Sequence, residues 1–438
     1  MKKLIYANIA FWGLSMSQVA AFDFSVSGSA ETFTKWGFNN ASLNKETGAA
    51  PTDSFTTLFS QVNLNAHLGA GFKLGLGGAI GGLAFDSTHN VTDGSLGLSP
   101  VINSYFGVSW DKERVQNYMV QNAFLEYTFE DVLYLKLGRY QSGKVGEYFS
   151  GYNQGAEGYL QFGVFKLWGF LSNRRAFAYD QWFNDYFRVH GTYDGGATRN
   201  THALGIDLNF GYFSVSGFSY YVPGKLSAPG LSLTFDSNPK FENQGLRSIT
   251  KIRTIFPIAA SGWWGEDKSV RQNQFRGIEH RSATLYIEQK FELNNFHFGA
   301  GYYQNFGNAN ALIGTWGSPL NLDIWTANAY DIGPSLSDIV SKDAITGFLF
   351  VGADYGKLTW EILARGTNSS RSDELSVAIF SNYKIRDDIS IGGKLEWLSD
   401  ATKAGYYPLA GYYGAAYSLD KKRTDDRSHL FFYIRHTF

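Results

Sequence analysis

The feature that most constrains this chain is a two-residue alternation of apolar and polar side chains, carried by segments of roughly 10 residues along most of its length. Leu58, Val62, Leu64, Ala66 and Leu68 share one face, while Gln61, Asn63, Asn65 and His67 share the other. Ala283, Leu285, Ile287 and Phe291 oppose Thr284, Tyr286, Glu288 and Lys290 in the same way, and Phe296, Phe298, Ala300 and Tyr302 oppose His297, Gly299, Gly301 and Tyr303. Leu358, Trp360, Ile362 and Ala364 face away from Thr359, Glu361 and Arg365; Ile389, Ile391, Leu395 and Trp397 face away from Ser390, Lys394 and Glu396. A helix would scatter these apolar residues around its surface, so the segments read as strands. In a barrel embedded in lipid the apolar face points outward and the polar face toward a wet lumen.

The connections set the expected topology. Short turns are expected at Gly69–Gly71, Glu130–Asp131, Gly163, Gly211, Ser237–Gln244, Leu293–Asn295, Gly356–Lys357 and Arg386–Asp388. Long polar connections alternate with them at 37–54, 87–116, 141–155, 173–200, 223–229, 256–279, 305–343, 366–373 and 400–427. The fold class is therefore all-β: a transmembrane antiparallel β-barrel of about 18 strands, with 16 as the alternative, short periplasmic turns and long extracellular loops. Trp36, Tyr127, Phe129, Trp360, Trp397 and Phe438 suit the aromatic girdles of such a barrel.

The two ends fit this reading. Met1-Lys2-Lys3, an apolar stretch from Leu4 to Met16 and the small residues of Val19-Ala20-Ala21 predict a signal peptide over 1–21 and a barrel over 22–438. That stretch is too short for a spanning helix, which needs about 20 apolar residues. At the other end Leu430, Phe432, Ile434 and Phe438 alternate outward, a pattern resembling the terminal strand read by the barrel assembly machinery, with His436 as a departure. Aromatics at 17% with 49 Gly and 9 Pro suit many strands and tight turns. The chain has no Cys, which excludes disulfides and thiolate metal sites, and its net charge of -1 without a basic run excludes a nucleic-acid footprint.

No constellation points to catalysis, so no enzyme activity, cofactor or metal is expected. The glycines between Gly69 and Gly82 lack the Lys-Ser/Thr of a phosphate loop. His280 and Ser282 are spaced as in barrel phospholipases, but Ala283 stands where those carry Asn, and alternation turns both residues inward with Thr284. Asp180, Asp185 and His190 have the residue types of a rim protease but read as a solvated loop. The inward charges matter more. Arg247, Lys251 and Arg253 share parity, and Lys136, Lys290, Arg365 and Lys394 also point inward, forming a candidate basic ladder. Glu126, Glu288, Glu361 and Glu396 form a candidate acidic side, unless both sets simply hydrate the lumen or pair across strands. The segment RRAFAYDQWFNDY at 174–186 lacks clean alternation and is a candidate constriction loop folded against other protein, with Arg174, Arg175, Tyr179, Asp180, Trp182 and Asp185 as its key residues.

The segments FDFSVSGSAETFTKWGFNN at 22–40, LKLGRYQ at 135–141 and YFSGYNQGAEG at 148–158, with the aromatic last strand, resemble an outer-membrane protein family of Helicobacter and its relatives. That family is similar in architecture to the OprD-like substrate-selective porins. The resemblance implies an eighteen-stranded barrel of the outer membrane, with a basic ladder and a loop-narrowed pore for small carboxylated solutes. It implies as partners outer-membrane lipid and lipopolysaccharide, the barrel assembly machinery and small-molecule solutes, with monomer and trimer both open. The alternative from another class is a surface adhesin acting through its long loops, 305–343 above all.

Overall fold

The structure is a computed structural model that describes residues 23–44, 46–91, 98–105, 107–109, 114–143, 145, 149, 151–179, 181–188, 200–260, 279–309, 338–406, 408 and 418–438. Its main sheet contains twenty-one strands, of which three short ones, Phe183–Phe187, Ile258–Ala259 and Arg423–Asp426, flank the wall. The other eighteen close into an antiparallel barrel. They are β1 (Asp23–Gly37), β2 (Phe55–Gly69), β3 (Phe72–Asp86), β4 (Tyr118–Phe129), β5 (Leu133–Gln141), β6 (Tyr152–Phe162), β7 (Phe165–Ala178), β8 (Thr201–Asn209) and β9 (Phe213–Val222). The second half comprises β10 (Leu226–Asp236), β11 (Leu246–Ile255), β12 (Ala283–Leu293), β13 (Phe296–Phe306), β14 (Ile345–Asp354), β15 (Leu358–Asn368), β16 (Ser372–Arg386), β17 (Ile389–Thr402) and β18 (His429–Thr437). Each strand pairs with its neighbours in sequence, and β1 closes on β18 from Ser29↔Thr437 to Gly37↔His429. Closure removes every free edge, which is how a sheet satisfies its backbone in lipid. No helix among the described residues is long and apolar enough to cross a membrane.

The alternation behaves as expected of a barrel in lipid. Leu58, Leu64, Leu76, Leu204, Leu349, Leu375, Trp397 and Phe432 are exposed on the outer face, whereas Glu31, Thr57, Glu157, Glu288, Arg365 and Lys394 are buried on the inner one. Tight turns at one end adopt positive φ, at Gly69 and Gly71 where glycine permits it, at Asn294, and also at Ala70 and Glu130 despite their side chains. The expected short turns are all present between consecutive strands. Two of the expected long connections are not long: β10 already starts at Leu226, and β16 follows β15 after only 369–371.

Loop segments at the other end fold inward. The short helix Pro100–Tyr105 brings Val101 against Phe33 and Phe55 on the inner wall of β1 and β2. A 3-10 turn, Asp338–Val340, lays Ile339 and Val340 on Tyr286, Tyr303, Phe348 and Leu363. The inner wall makes room for rings through glycine: a Cβ on Gly301 would lie 2.0 Å from Cζ of Phe348 on the adjoining strand, so that ring lies flat against the wall.

Candidate functional site

The inward charges do not separate into a basic side and an acidic side; cross-strand register places opposite charges next to each other. On β4 and β5, Glu126 and Lys136 are direct partners in the ladder, with Nζ and Oε2 3.1 Å apart. Lys136 also stands 4.0 Å from the centre of the Phe124 ring. On β11 and β12, Lys251 faces Glu288 at 3.1 Å, and Tyr286 donates its hydroxyl to the other oxygen of Glu288 at 2.6 Å. Arg247 is held by two carboxylates. Its Nε donates to Asp236 at 2.9 Å and its Nη1 to Glu292 at 2.9 Å, while Lys290 contacts the second oxygen of Glu292 at 2.8 Å. Arg253 lies in the same row, opposite Tyr286.

Glu361 pairs with a residue two strands away. His297 on β13 and Glu361 on β15 both face Gly352 of β14 in the register, and their side chains meet at 3.0 Å. A Cβ on Gly352 would stand 2.6 Å from Nε2 of His297, so the glycine leaves the space in which the two meet.

Arg365, Lys394 and Glu396 sit in a deeper network near the loop end of β15–β18. Arg365 contacts Glu374 at 2.7 Å and Glu396 at 3.8 Å; Lys394 contacts Glu396 at 2.7 Å and lies 3.9 Å from the centre of the Phe431 ring. Above them Arg371 joins Asp338 at 2.8 Å to Asp400 at 3.1 Å, and Arg427 contacts the same oxygen of Asp400 at 2.8 Å. Ser372 donates its hydroxyl to Asp338 as well. Burial pushes the Asp338 carboxyl up, but Arg371 and the hydroxyls of Ser341 and Ser372 outweigh it and hold the group below the ordinary aspartate range. Asp338, Glu374 and Asp400 come close enough to share a cation, yet the arginines already occupy the space between them.

The segment 174–186 is a hairpin rather than an irregular loop. Arg174 and Arg175 belong to the end of β7, and the chain returns through Phe183–Phe187, which pairs back with Phe183 opposite Ala178 and Phe187 opposite Arg175. Arg175, Trp182 and Asp185 are buried, whereas Arg174 and Tyr179 are half-buried. Asp180 and His190 lie outside the described residues. The hairpin packs with Phe59, Ala79 and Met119 of β2, β3 and β4, and the Tyr186 hydroxyl donates to the Gln121 carbonyl at 2.8 Å. A chord of protein thus runs inside the barrel from β7 to the β2–β4 wall. Below it lies a cavity of about 550 Å³, lined by Lys290, Glu292, His297, Glu361, Lys394 and, at the hairpin tip, Gln181.

Sequence parity found Arg247, Lys251, Lys290 and Arg365 but missed their partners Asp236, Glu292 and Glu374, and also Asp338, Arg371 and Asp400, while Gln181 fell within the candidate constriction segment without being singled out. Asp236 and Arg247 flank one short turn and could have been matched across it. The loop residues carry no periodic signal.

A family model described as "Putative outer membrane protein" matches residues 9–438. No curated protein matches the chain. Among solved structures, OccAB3 of Acinetobacter baumannii is similar with a TM-score of 0.62 at 12% identity, covering 96% of this chain and 100% of that one. OccK9 (OpdG) of Pseudomonas aeruginosa gives 0.62 at 12% identity over 97% and 100%. The outer membrane protein OprD of the same organism gives 0.58 at 9% identity over 95% and 93%. At such identities the likeness is one of fold.

Proposed function

Because the chain belongs to the outer-membrane protein family whose model it matches, we propose that it is a passive porin, through which small hydrophilic solutes diffuse along a polar lumen narrowed by the 174–186 hairpin. The observation that carries this reading is a closed barrel whose inner face bears partly exposed charged pairs at Glu126–Lys136, Lys251–Glu288 and Lys290–Glu292, the last of which lines a cavity of about 550 Å³. A lipid-facing sheet with a charged interior has no use for those charges unless water reaches them. On this reading the protein performs no chemistry and needs no cofactor. Residues 1–21 are removed on export, lipopolysaccharide and phospholipid contact the outer aromatics, and the strand ending at Phe438 is recognised by the barrel assembly machinery.

Anionic solutes, carboxylates included, are favoured along the β11 wall. Arg247, Lys251 and Arg253 follow one another on one face there, and fixed charges in a narrow passage raise the local concentration of counter-ions. Planar-bilayer recordings test both levels. The purified protein, beginning at Phe22, is expected to give discrete conductance steps. Replacing Arg247, Lys251 and Arg253 together with Gln is expected to move the reversal potential in a salt gradient toward cations, since Asp236, Glu288 and Glu292 then remain without those partners. A protein that inserts but never conducts, while its loops hold a host surface, would instead be an adhesin.

A further inference from the structure

We propose that Gln181 is the specificity-determining residue of the channel, a neutral amide held across the lumen where solutes pass; this rests on the porin reading above. Three observations place it there. The hairpin that carries it leaves the wall at β7, yet Gln181 lines the same cavity as Phe33 of β1, Lys394 of β17, and Phe431 and Tyr433 of β18, on the far part of the barrel. The tip is braced: the Tyr179 amide donates to the Trp182 carbonyl at 3.0 Å, and the Trp182 ring lies 5.3 Å from that of Tyr179 and 5.8 Å from that of Phe177. The returning strand is tied on its other side by the Gly107 amide, which donates to the Phe183 carbonyl at 2.7 Å. A tip fixed in this way presents its side chain at a constant place in the lumen.

Among the described residues the Gln181 amide has no hydrogen-bond partner, so its N–H and C=O groups are left for water or solute. Most charges around it have a close partner: Lys394 contacts Glu396 at 2.7 Å, Lys290 contacts Glu292 at 2.8 Å, Glu361 meets the His297 ring at 3.0 Å, and Asp354 accepts the Gly356 amide at 2.7 Å. A neutral side chain that both donates and accepts can hydrogen-bond a passing solute without itself favouring either sign of ion, and leaves the preference for charge to the wall. It also means that a single added charge at this point would have little to oppose it.

The experiment is a pair of opposite substitutions in planar bilayers, each protein checked first for its heat-modifiable folded form. Gln181→Glu is expected to raise the cation-to-anion permeability ratio several-fold, and Gln181→Lys to lower it several-fold. Gln181→Asn should leave the ratio at its starting value. A residue with only a structural role would shift both charged variants in one direction or neither. Conducting Glu and Lys variants with the parent's reversal potential, or with shifts of the same sign, would overturn the assignment. A parent protein that gives no conductance at all would remove the porin reading, and this assignment with it.

Discussion

The wall of β10–β13 and the wall of β14–β18 carry the same alternation and the same kinds of ion pair, yet they hold them in different media. On the first, the Lys251 and Arg247 side chains keep 28% and 24% of their exposure. On the second, Arg365 and Lys394 keep 1% and 2%, and their partners Glu374 and Glu396 keep 0% and 1%. Strand pattern does not distinguish the walls; the cover does. Asp338 and Arg371 enter the ion-pair network of β15–β17, whereas the same turn reaches the first wall only through Ile339 and Val340 against Tyr286 and Tyr303, and no described loop residue joins the ion pair Lys251–Glu288. Screened pairs stabilise little and act chiefly as a field, while covered pairs act chiefly through the charge left behind when one member is lost.

The sharpest way to break this contrast is Arg365→Ala set beside Arg247→Ala. The first leaves Glu374 and Glu396 buried without that cation and is expected to cost about 3–5 kcal/mol. The second removes a partly hydrated group and is expected to cost no more than about 1 kcal/mol. Unfolding midpoints in urea, in the same detergent, give both values, and equal losses would end the distinction between the walls.

An intermediate effect is expected from pH through Asp338. Its carboxyl is held below the ordinary aspartate value, so it adds stability above an unfolded pKa of about 3.9 and loses that contribution as pH falls through the lower folded value. The unfolding midpoint should therefore stay flat from neutral pH to about 4 and drop below it. Asp338→Asn should start lower, by about 1–3 kcal/mol for the lost charged hydrogen bonds, and should converge with the parent in acid. Parallel curves over the whole range would show that Asp338 does not hold the cover in place.

The smallest change in stability, and the clearest in transport, is expected from Lys251→Gln. Folding should move by about 1 kcal/mol, because Lys251 is partly hydrated and the buried Glu288 keeps the Tyr286 hydroxyl at 2.6 Å, while Glu288, left without its cation, draws the reversal potential toward cations. The shift should fade at high salt, where the Debye length is about 3 Å at 1 M. A shift that persists in concentrated salt would place Lys251 among the covered charges.

Much of the barrel was legible because two-residue periodicity is local: Leu58 to Leu68 and Leu358 to Ala364 report their face without knowledge of any neighbour. Register is not local. Parity alone could not say that Lys136 would stand directly opposite Glu126, or Lys251 opposite Glu288, so two charged walls and pairing across strands both stayed open until the ladders showed the pairs. Turn chemistry misled in two places. The segment 223–229 read as a connection, but Pro229 sits in β10 opposite Ser219, and its carbonyl accepts the Phe256 amide at 2.8 Å. The run Asn368-Ser369-Ser370-Arg371-Ser372-Asp373 read as a loop, but only its centre turns, with Asn368 and Asp373 already paired in the ladder. The cover was not legible at all, since contact between Asp338 and Arg371 depends on how a long loop returns.

The seam between β1 and β18 has a mechanical consequence. Gly28 and Phe438 exchange backbone hydrogen bonds at 2.9 and 3.1 Å, and the Phe438 ring lies so close over Gly28 that a Cβ there would stand 2.4 Å from its Cζ. With this seam closed the molecule is a hoop, held by lateral ladders, and the covalent chain is only one of the ways in which neighbouring strands are joined. Cutting the chain at an exposed turn such as 387–388 would leave every ladder intact. Parting one ladder would leave the chain whole yet expose two rows of backbone groups to lipid, each unsatisfied group costing several kcal/mol. Continuity of the ring, rather than continuity of the polypeptide, is what keeps this barrel in one piece.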